Sequence, residues 1–438
     1  MNRIRLNRGW VFFTFLFPGF LISAYALDVP TRYIQDDSPV RISVKNTWLT
    51  EAPGKVLEKS PSVYTLAGGD RIQIRAEGAR DECTIILARE LEGTFPGWAQ
   101  GSWILTRRKD TGGPKRIRIF LRSDPYMYVQ FRPLAEDKSL MDVVLYDAYV
   151  VRSQPLGIPF ERLLVIPVED ALKTAGAFFP RRYFDPDPGM YRDLREFIGR
   201  VRQRLPELQF RDDGAIDENG RYVLINTLEA QDGMEGLNCS GFAKWIVDGI
   251  LRPHTGKRLS VPPLKEPFGD RTSSFSEFYE RLRDPFFGLD WTRNLAGQAG
   301  SSLRSPDFGV LEEIEVQQGK FVSMIQRNRE GSSIRAYPGF LRNAGFGSEG
   351  LHPLLYTLAI DEPGFIYLAS VNNETGPAPR MRQHFHVAVL IPYFTETGNF
   401  CIALFESAAE TSFANFKVRY PGHYINLVRI PVDGVFDP

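Results

Sequence analysis

Three cysteines and five histidines in a chain of 438 residues leave few side chains able to do nucleophilic or metal chemistry. Cys239 has the most informative surroundings. It lies in Gly236-Leu237-Asn238-Cys239-Ser240-Gly241-Phe242, a small polar cluster ahead of an apolar-periodic stretch that runs to Leu251. The spacing predicts a helix with Asn238 as N-cap and Cys239 at the first helical position. Free N–H groups and partial positive charge at a helix start favour thiolate over thiol. Ser240 and Gly241 follow as candidates to support a substrate or an oxyanion, Gly241 by allowing close approach and the first-turn N–H groups by donating.

A thiolate nucleophile needs a base that can take and return a proton, usually histidine. His384 and His386 lie in Gln383-His384-Phe385-His386-Val387-Ala388-Val389-Leu390-Ile391, which reads as a strand. Alternation puts both imidazoles on one face, opposite Phe385, Val387 and Val389. The next strand is Phe400 to Ser407. A turn centred on Glu396 pairs His386 directly with Glu406. That carboxylate would hold one imidazole nitrogen and leave the other for the sulfur. His386 is the expected base, Glu406 its partner and His384 the reserve base.

The elements that must position these groups occupy the second half of the chain. Residues 216–438 read as one domain with a helix from Cys239 and strands at Gly364–Val371, Phe385–Ile391, Phe400–Glu406 and Tyr424–Pro431. Residues 252–362 read as an insertion, either a subdomain or a partly ordered cover, with a helix-like stretch at Phe275–Leu282. Residues 27–155 read as a β-rich domain, a sandwich or barrel. Its expected strands include Val40–Val44, Arg71–Ile74, Cys83–Leu87, Arg116–Phe120 and Met127–Phe131. Residues 156–215 form a helical linking region, with helices expected near Val168–Leu172 and Met190–Leu205.

The chain starts with Arg3, Arg5 and Arg8, an apolar run from Trp10 to Ile22, and Ser23-Ala24-Tyr25-Ala26. This is the pattern of a cleavable signal peptide over residues 1–26. A periplasmic or secreted product without a stable membrane span is expected. Lys and Arg number 53, as do Asp and Glu, so charge gives no case for nucleic acid as the partner. Cys83 and Cys401 read as small core residues of strands, with a disulfide between them the alternative.

Gly236-Leu237-Asn238-Cys239-Ser240-Gly241-Phe242 resembles the Gly-Phe-Asp-Cys-Ser-Gly-Phe signature of the NlpC/P60 peptidoglycan hydrolases. Pro363-Gly364-Phe365-Ile366-Tyr367 resembles that family's Pro-Gly-Asp-Leu strand start, and His386-Val387-Ala388-Val389-Leu390 its His-Val-Gly-Ile-Tyr strand. Glu406 falls where the family places a third polar residue, and Tyr222 resembles a tyrosine set before the cysteine. The resemblance implies an α+β, papain-like domain, its Cys-bearing helix packed on an antiparallel sheet. It implies cleavage of amide bonds in peptidoglycan stem peptides, with muropeptides as partners, no cofactor, and Tyr222 in substrate support. Asn238 stands where the family has Asp, and Glu406 where His, Asn or Gln is common.

Two other readings come from the same residues. His384-x-His386 is a candidate zinc pair, although no partner motif such as His-Glu-x-x-His is present. A non-catalytic binding or scaffold protein on a degenerate hydrolase fold is the second. Gly347-Ser348-Glu349-Gly350 lacks the full nucleophile elbow, because position 346 is Phe.

Overall fold

A computed structural model describes residues 28–269, 284–317, 325–327, 334–336, 339–375 and 383–438. The expected signal peptide and the helix-like stretch at Phe275–Leu282 lie outside the described residues. Among the described residues, no helix is long and apolar enough to cross a membrane.

The fold is mixed α/β, of the α+β kind, built on antiparallel sheets. The first is one continuous meander: β1 (Ser62–Thr65), β2 (Arg71–Gly78), β3 (Glu82–Arg89), β4 (Trp103–Arg108), β5 (Pro114–Ile119), β6 (Met127–Ala135), β7 (Lys138–Leu145) and β8 (Ala148–Leu156), each paired with the next. Two short strands from the second half of the chain, Ile325–Arg327 and Ile334–Ala336, extend it beyond β8. Among the described residues the strand order is linear, from β1 to Ile334–Ala336. Residues Val40–Val44 are not a strand. They belong to helix α1 (Ser38–Ser43), started by Pro39 in its first turn. Alternation there is outweighed by Arg41, fully buried, which bonds Asp37 and the carbonyls of Leu164 and Ile166 and lies 3.6 Å over the Trp103 ring. After β8 come α2 (Phe160–Leu163), α3 (Val168–Ala175) and α4 (Arg192–Arg204), whose Leu194, Phe197, Ile198 and Val201 are buried at helical spacing.

The second large sheet contains β9 (Phe346–Gly347), β10 (Phe365–Thr375), β11 (His384–Phe394), β12 (Phe400–Glu406), β13 (Ala409–Thr411) and β14 (His423–Pro431), ordered β9-β14-β10-β11-β12-β13. It is covered on both faces, which is why its middle strands are nearly all apolar. One face carries α5 (Cys239–Thr255) and α6 (Phe287–Leu303). Phe242, Ile246, Ile250, Trp291 and Leu295 pack there with Leu368, Val387, Val389 and Ile391. The other face carries α7 (Leu351–Asp361) and α8 (Phe413–Arg419). Leu351, Leu355, Leu358 and Phe416 pack there with Ala388, Leu390 and Leu404. Helix α6 lies inside the segment read as an insertion, yet it is a core layer of the domain and not a cover.

The two halves share one hydrophobic core, from Val44 to Phe436. The β7–β8 turn, Tyr146-Asp147, has positive φ at both residues. It inserts the Tyr146 ring among His352, Tyr356 and Phe400, with centroids 4.1, 5.2 and 6.2 Å away.

Candidate active site

Helix α5 begins where its local sequence says it should. Asn238 has extended backbone, and its Oδ1 accepts the N–H of Gly241 at 2.8 Å. Two contacts fix the helix start in place. The carbonyl of Ser240 accepts the indole N–H of Trp291 at 2.9 Å, and the Asn238 N–H donates to the Gly214 carbonyl at 3.0 Å. Gly241 lies so close to the strand Gly214–Ile216 that a Cβ would sit 2.0 Å from the Gly214 oxygen. Its N–H is used by the cap, so its role is packing and not oxyanion support. Ser240 is buried, and its hydroxyl helps lower the pKa of the Cys239 thiol.

The sulfur meets the sheet at a gap. The β11–β12 ladder runs from Phe394↔Phe400 to Val389↔Phe405 and stops. Beyond it, among the described residues, that edge of β11 has no strand neighbour, and α5 packs against β11 there. Cys239 faces this stretch of strand, and the His386 imidazole and the Val387 N–H act on its thiol. His386 Nε2 is 2.6 Å from Glu406 Oε2, which leaves Nδ1 for the thiol. Arg419, the last residue of α8, donates to Glu406 Oε1. Tyr420 stacks on His386 with ring centroids 5.6 Å apart and 30° between planes.

Two features of the strand differ from the register expected. The hairpin centres on Thr397, not Glu396, which places Glu406 across from Ala388. A slip of two residues keeps side chains on the same face, so His386 and Glu406 meet as diagonal neighbours. His384 and His386 do not share a face. The β10–β11 register passes from Val371↔His386 to Asn372↔His384, so Phe385 is an extra residue in a β-bulge. His384 turns to the α5–α6 face, buried, with Nδ1 2.7 Å from Ser370 Oγ and Nε2 3.0 Å from the Asn343 carbonyl. A carbonyl only accepts, so Nε2 carries a proton, and the Ser370 hydroxyl can serve Nδ1 as donor or acceptor. The ring is a structural group on the face away from Glu406, not a reserve base, and the zinc pair does not converge. Among the described residues, no group of three or more His, Cys, Asp or Glu side chains is arranged to hold a metal.

Charge at the site is arranged around the imidazole. Burial opposes the Cys239 thiolate, but the His386 bond and charge, the Val387 N–H and the Ser240 hydroxyl outweigh it and hold the thiol below its ordinary pKa. Burial likewise opposes the imidazolium, and the bonds and charges of Cys239 and Glu406 overcome it, raising His386 to about 9. Burial pushes Glu406 up, and His386 and Arg419 pull it below the usual carboxylate value. Both shifts act in the same sense, favouring thiolate with imidazolium over the neutral pair.

A family model described as "Domain of unknown function (DUF8515)" matches residues 30–183. That span is the first sheet with its flanking helices. Cys239, His386 and Glu406 all lie outside it. No curated protein and no solved structure matches the chain.

Tyr222 pairs in a short ladder with Ile216, and its hydroxyl is pushed up by burial and by the charges of Glu235 and Glu207. None of the three central groups acts on it. The aromatic residue beside the dyad is Tyr420, whose hydroxyl is pushed up by burial and by the charges of Glu406 and Cys239. Neither Arg419 nor Tyr420 had a local signal, because a hairpin and a helix separate them from Glu406. Cys83 is buried in β3, Cys401 sits in β12, and all three cysteines are free thiols. Ser348 is buried, and its Oγ accepts the Gly422 N–H at 3.0 Å. Two clefts, of about 340 Å³ beside Arg195 and Tyr393 and about 470 Å³ beside Tyr33 and Arg89, lie away from the dyad.

Proposed function

We propose that this chain is an exported cysteine hydrolase of the NlpC/P60 type, with a papain-like catalytic domain, that cleaves amide bonds in peptidoglycan stem peptides. The observation that carries the reading is His386 held through Nε2 by Glu406, with the same imidazole lowering the pKa of the Cys239 thiol at the start of α5. The substrate class rests on the resemblance of the Cys239, Pro363-Gly364 and His386 segments to that family.

In this mechanism the Cys239 thiolate adds to the amide carbonyl carbon, and the C=O π pair moves to oxygen. The Cys239 N–H, which the Asn238 side chain does not use, is the donor this mechanism assigns to that oxyanion. Collapse expels the amine, which takes the Nδ1 proton of His386 and leaves a thioester. His386, now neutral, removes a proton from water as the water attacks the thioester, and the thiolate returns. Glu406 holds the ring through Nε2 and stabilises its charged form in both halves.

The test is digestion of purified peptidoglycan by the protein without its first 26 residues, with products identified by mass. Wild type should release peptides with new amine and carboxyl ends, and Cys239→Ala should release none while keeping its unfolding transition. Equal products from both proteins would remove Cys239 from the chemistry, and no new ends from wild type would remove the substrate assignment.

A further inference from the structure

The carboxylate that orients His386 has two oxygens, and only Oε2 serves the imidazole. Among the described residues, the donor to Oε1 is Arg419. The chain goes some distance to bring that guanidinium back. After Glu406 it reverses through Ser407-Ala408, both non-glycine residues at positive φ of 49° and 64°. The pairing Glu406↔Ala409 closes this two-residue hairpin. Such a backbone is strained for residues with a side chain and persists only where the surroundings enforce it. Helix α8 then starts on a Ser412 cap, is anchored by fully buried Phe416, and ends at Arg419. The guanidinium carbon lies 5.3 Å from the centre of the Tyr420 ring, and that ring in turn stacks on His386. Arg419 is 44% exposed while Glu406 is 6% exposed, so the carboxylate's charge is buried and its counter-charge is reached from the surface.

We propose that Arg419 is a positioning residue of the reaction. It fixes Glu406 through Oε1 as an ionised acceptor, so that Oε2 faces His386 Nε2 and the dyad stays in its thiolate–imidazolium form. The inference rests on the hydrolase reading above but is tested without a substrate.

The full chain without its first 26 residues is alkylated with iodoacetamide across pH 4–10, and modification is read at Cys239 by peptide mass, apart from Cys83 and Cys401. Wild type should show thiolate reactivity beginning well below the ordinary thiol value of about 8.5. In Arg419→Gln the acid limb should move up by about one pH unit, a loss of roughly tenfold at pH 6, as expected for removal of a nearby opposite charge. Arg419→Lys, which keeps the charge, should recover most of the loss. In a Glu406→Gln background, adding Arg419→Gln should move the profile no further. An Arg419→Gln profile identical to wild type would overturn the proposal. So would an equal displacement in both backgrounds, since Arg419 would then act on the thiol directly and not through Glu406. An ordinary thiol titration in wild type would instead sink the dyad itself, and with it the hydrolase reading.

Discussion

Gly241→Ala gives a sharp check on how α5 presents Cys239, because helix propensity and packing predict opposite signs. Alanine is favoured over glycine inside a helix by up to about 1 kcal/mol. At Gly241, however, the new Cβ would lie 2.0 Å from the Gly214 oxygen and 2.9 Å from the Ala215 Cα, while ordinary contact begins near 3.4 Å. Both are backbone atoms, so no rotamer change relieves the overlap. The start of the helix must lift by about 1.4 Å, the shortfall against the Gly214 oxygen. Overpacking of this kind costs roughly 1–3 kcal/mol, more than propensity returns. The same lift carries Cys239 away from His386, and a displacement of about 1 Å can cost on the order of a hundredfold in rate. Gly199, in α4, is the control, since no atom lies within 4 Å of its Cβ position. Urea unfolding should show Gly199→Ala equal to or more stable than wild type and Gly241→Ala less stable. Alkylation of Cys239 at pH 6.5 should be unchanged in the first and strongly slowed in the second. A Gly241→Ala protein as stable as wild type, with unchanged alkylation, would refute the packing argument.

Four further outcomes follow from the site and its neighbours. His386→Ala should return Cys239 to ordinary thiol titration. His384→Ala should leave that titration in place while destabilising the fold by roughly 1–3 kcal/mol per orphaned partner at Ser370 and Asn343, as read by alkylation profiles and unfolding. Because His386 is raised to about 9, hydrolysis should fall as pH rises through about 9, and the stability its proton provides, complete below about 6.5, should be lost over the same rise. His352, pushed down to about 4 by burial beside Tyr146 and by the Lys417 charge, stays neutral when folded but takes up a proton below about 6.5 when unfolded. Stability should therefore drop by about 3 kcal/mol as pH falls from 6.5 to 4, and His352→Phe should flatten that part of the unfolding-temperature profile.

The local parts of the site were legible. Asn238 before Cys239, with Ser240 and Gly241 behind, marks a helix start through contacts spanning only a few residues, and the structure has the cap in that place. The meander strands were largely readable because alternation with period 2 is also a short-range property. Parity explains a partial success: the hairpin centre was misplaced by one residue, yet the pairing shifted by two, and His386 still reaches Glu406. Val40–Val44 shows the limit. Its alternation was real, but burial of Arg41 against Trp103 and two carbonyls more than a hundred residues away selected a helix.

By itself, then, the amino-acid order determined which cysteine heads a helix and which strand carries imidazoles, since backbone periodicity and capping act between near neighbours. Only tertiary packing decided which imidazole meets the sulfur. One extra residue at Phe385 sends His384 and His386 to opposite faces, and nothing within a few positions of Phe385 specifies it. The Val387 N–H, the Arg419 guanidinium and the Tyr420 ring reach the site from an edge of β11, a strained hairpin and a short helix. Those positions exist only after the sheet has formed, because their partners lie in different strands and layers.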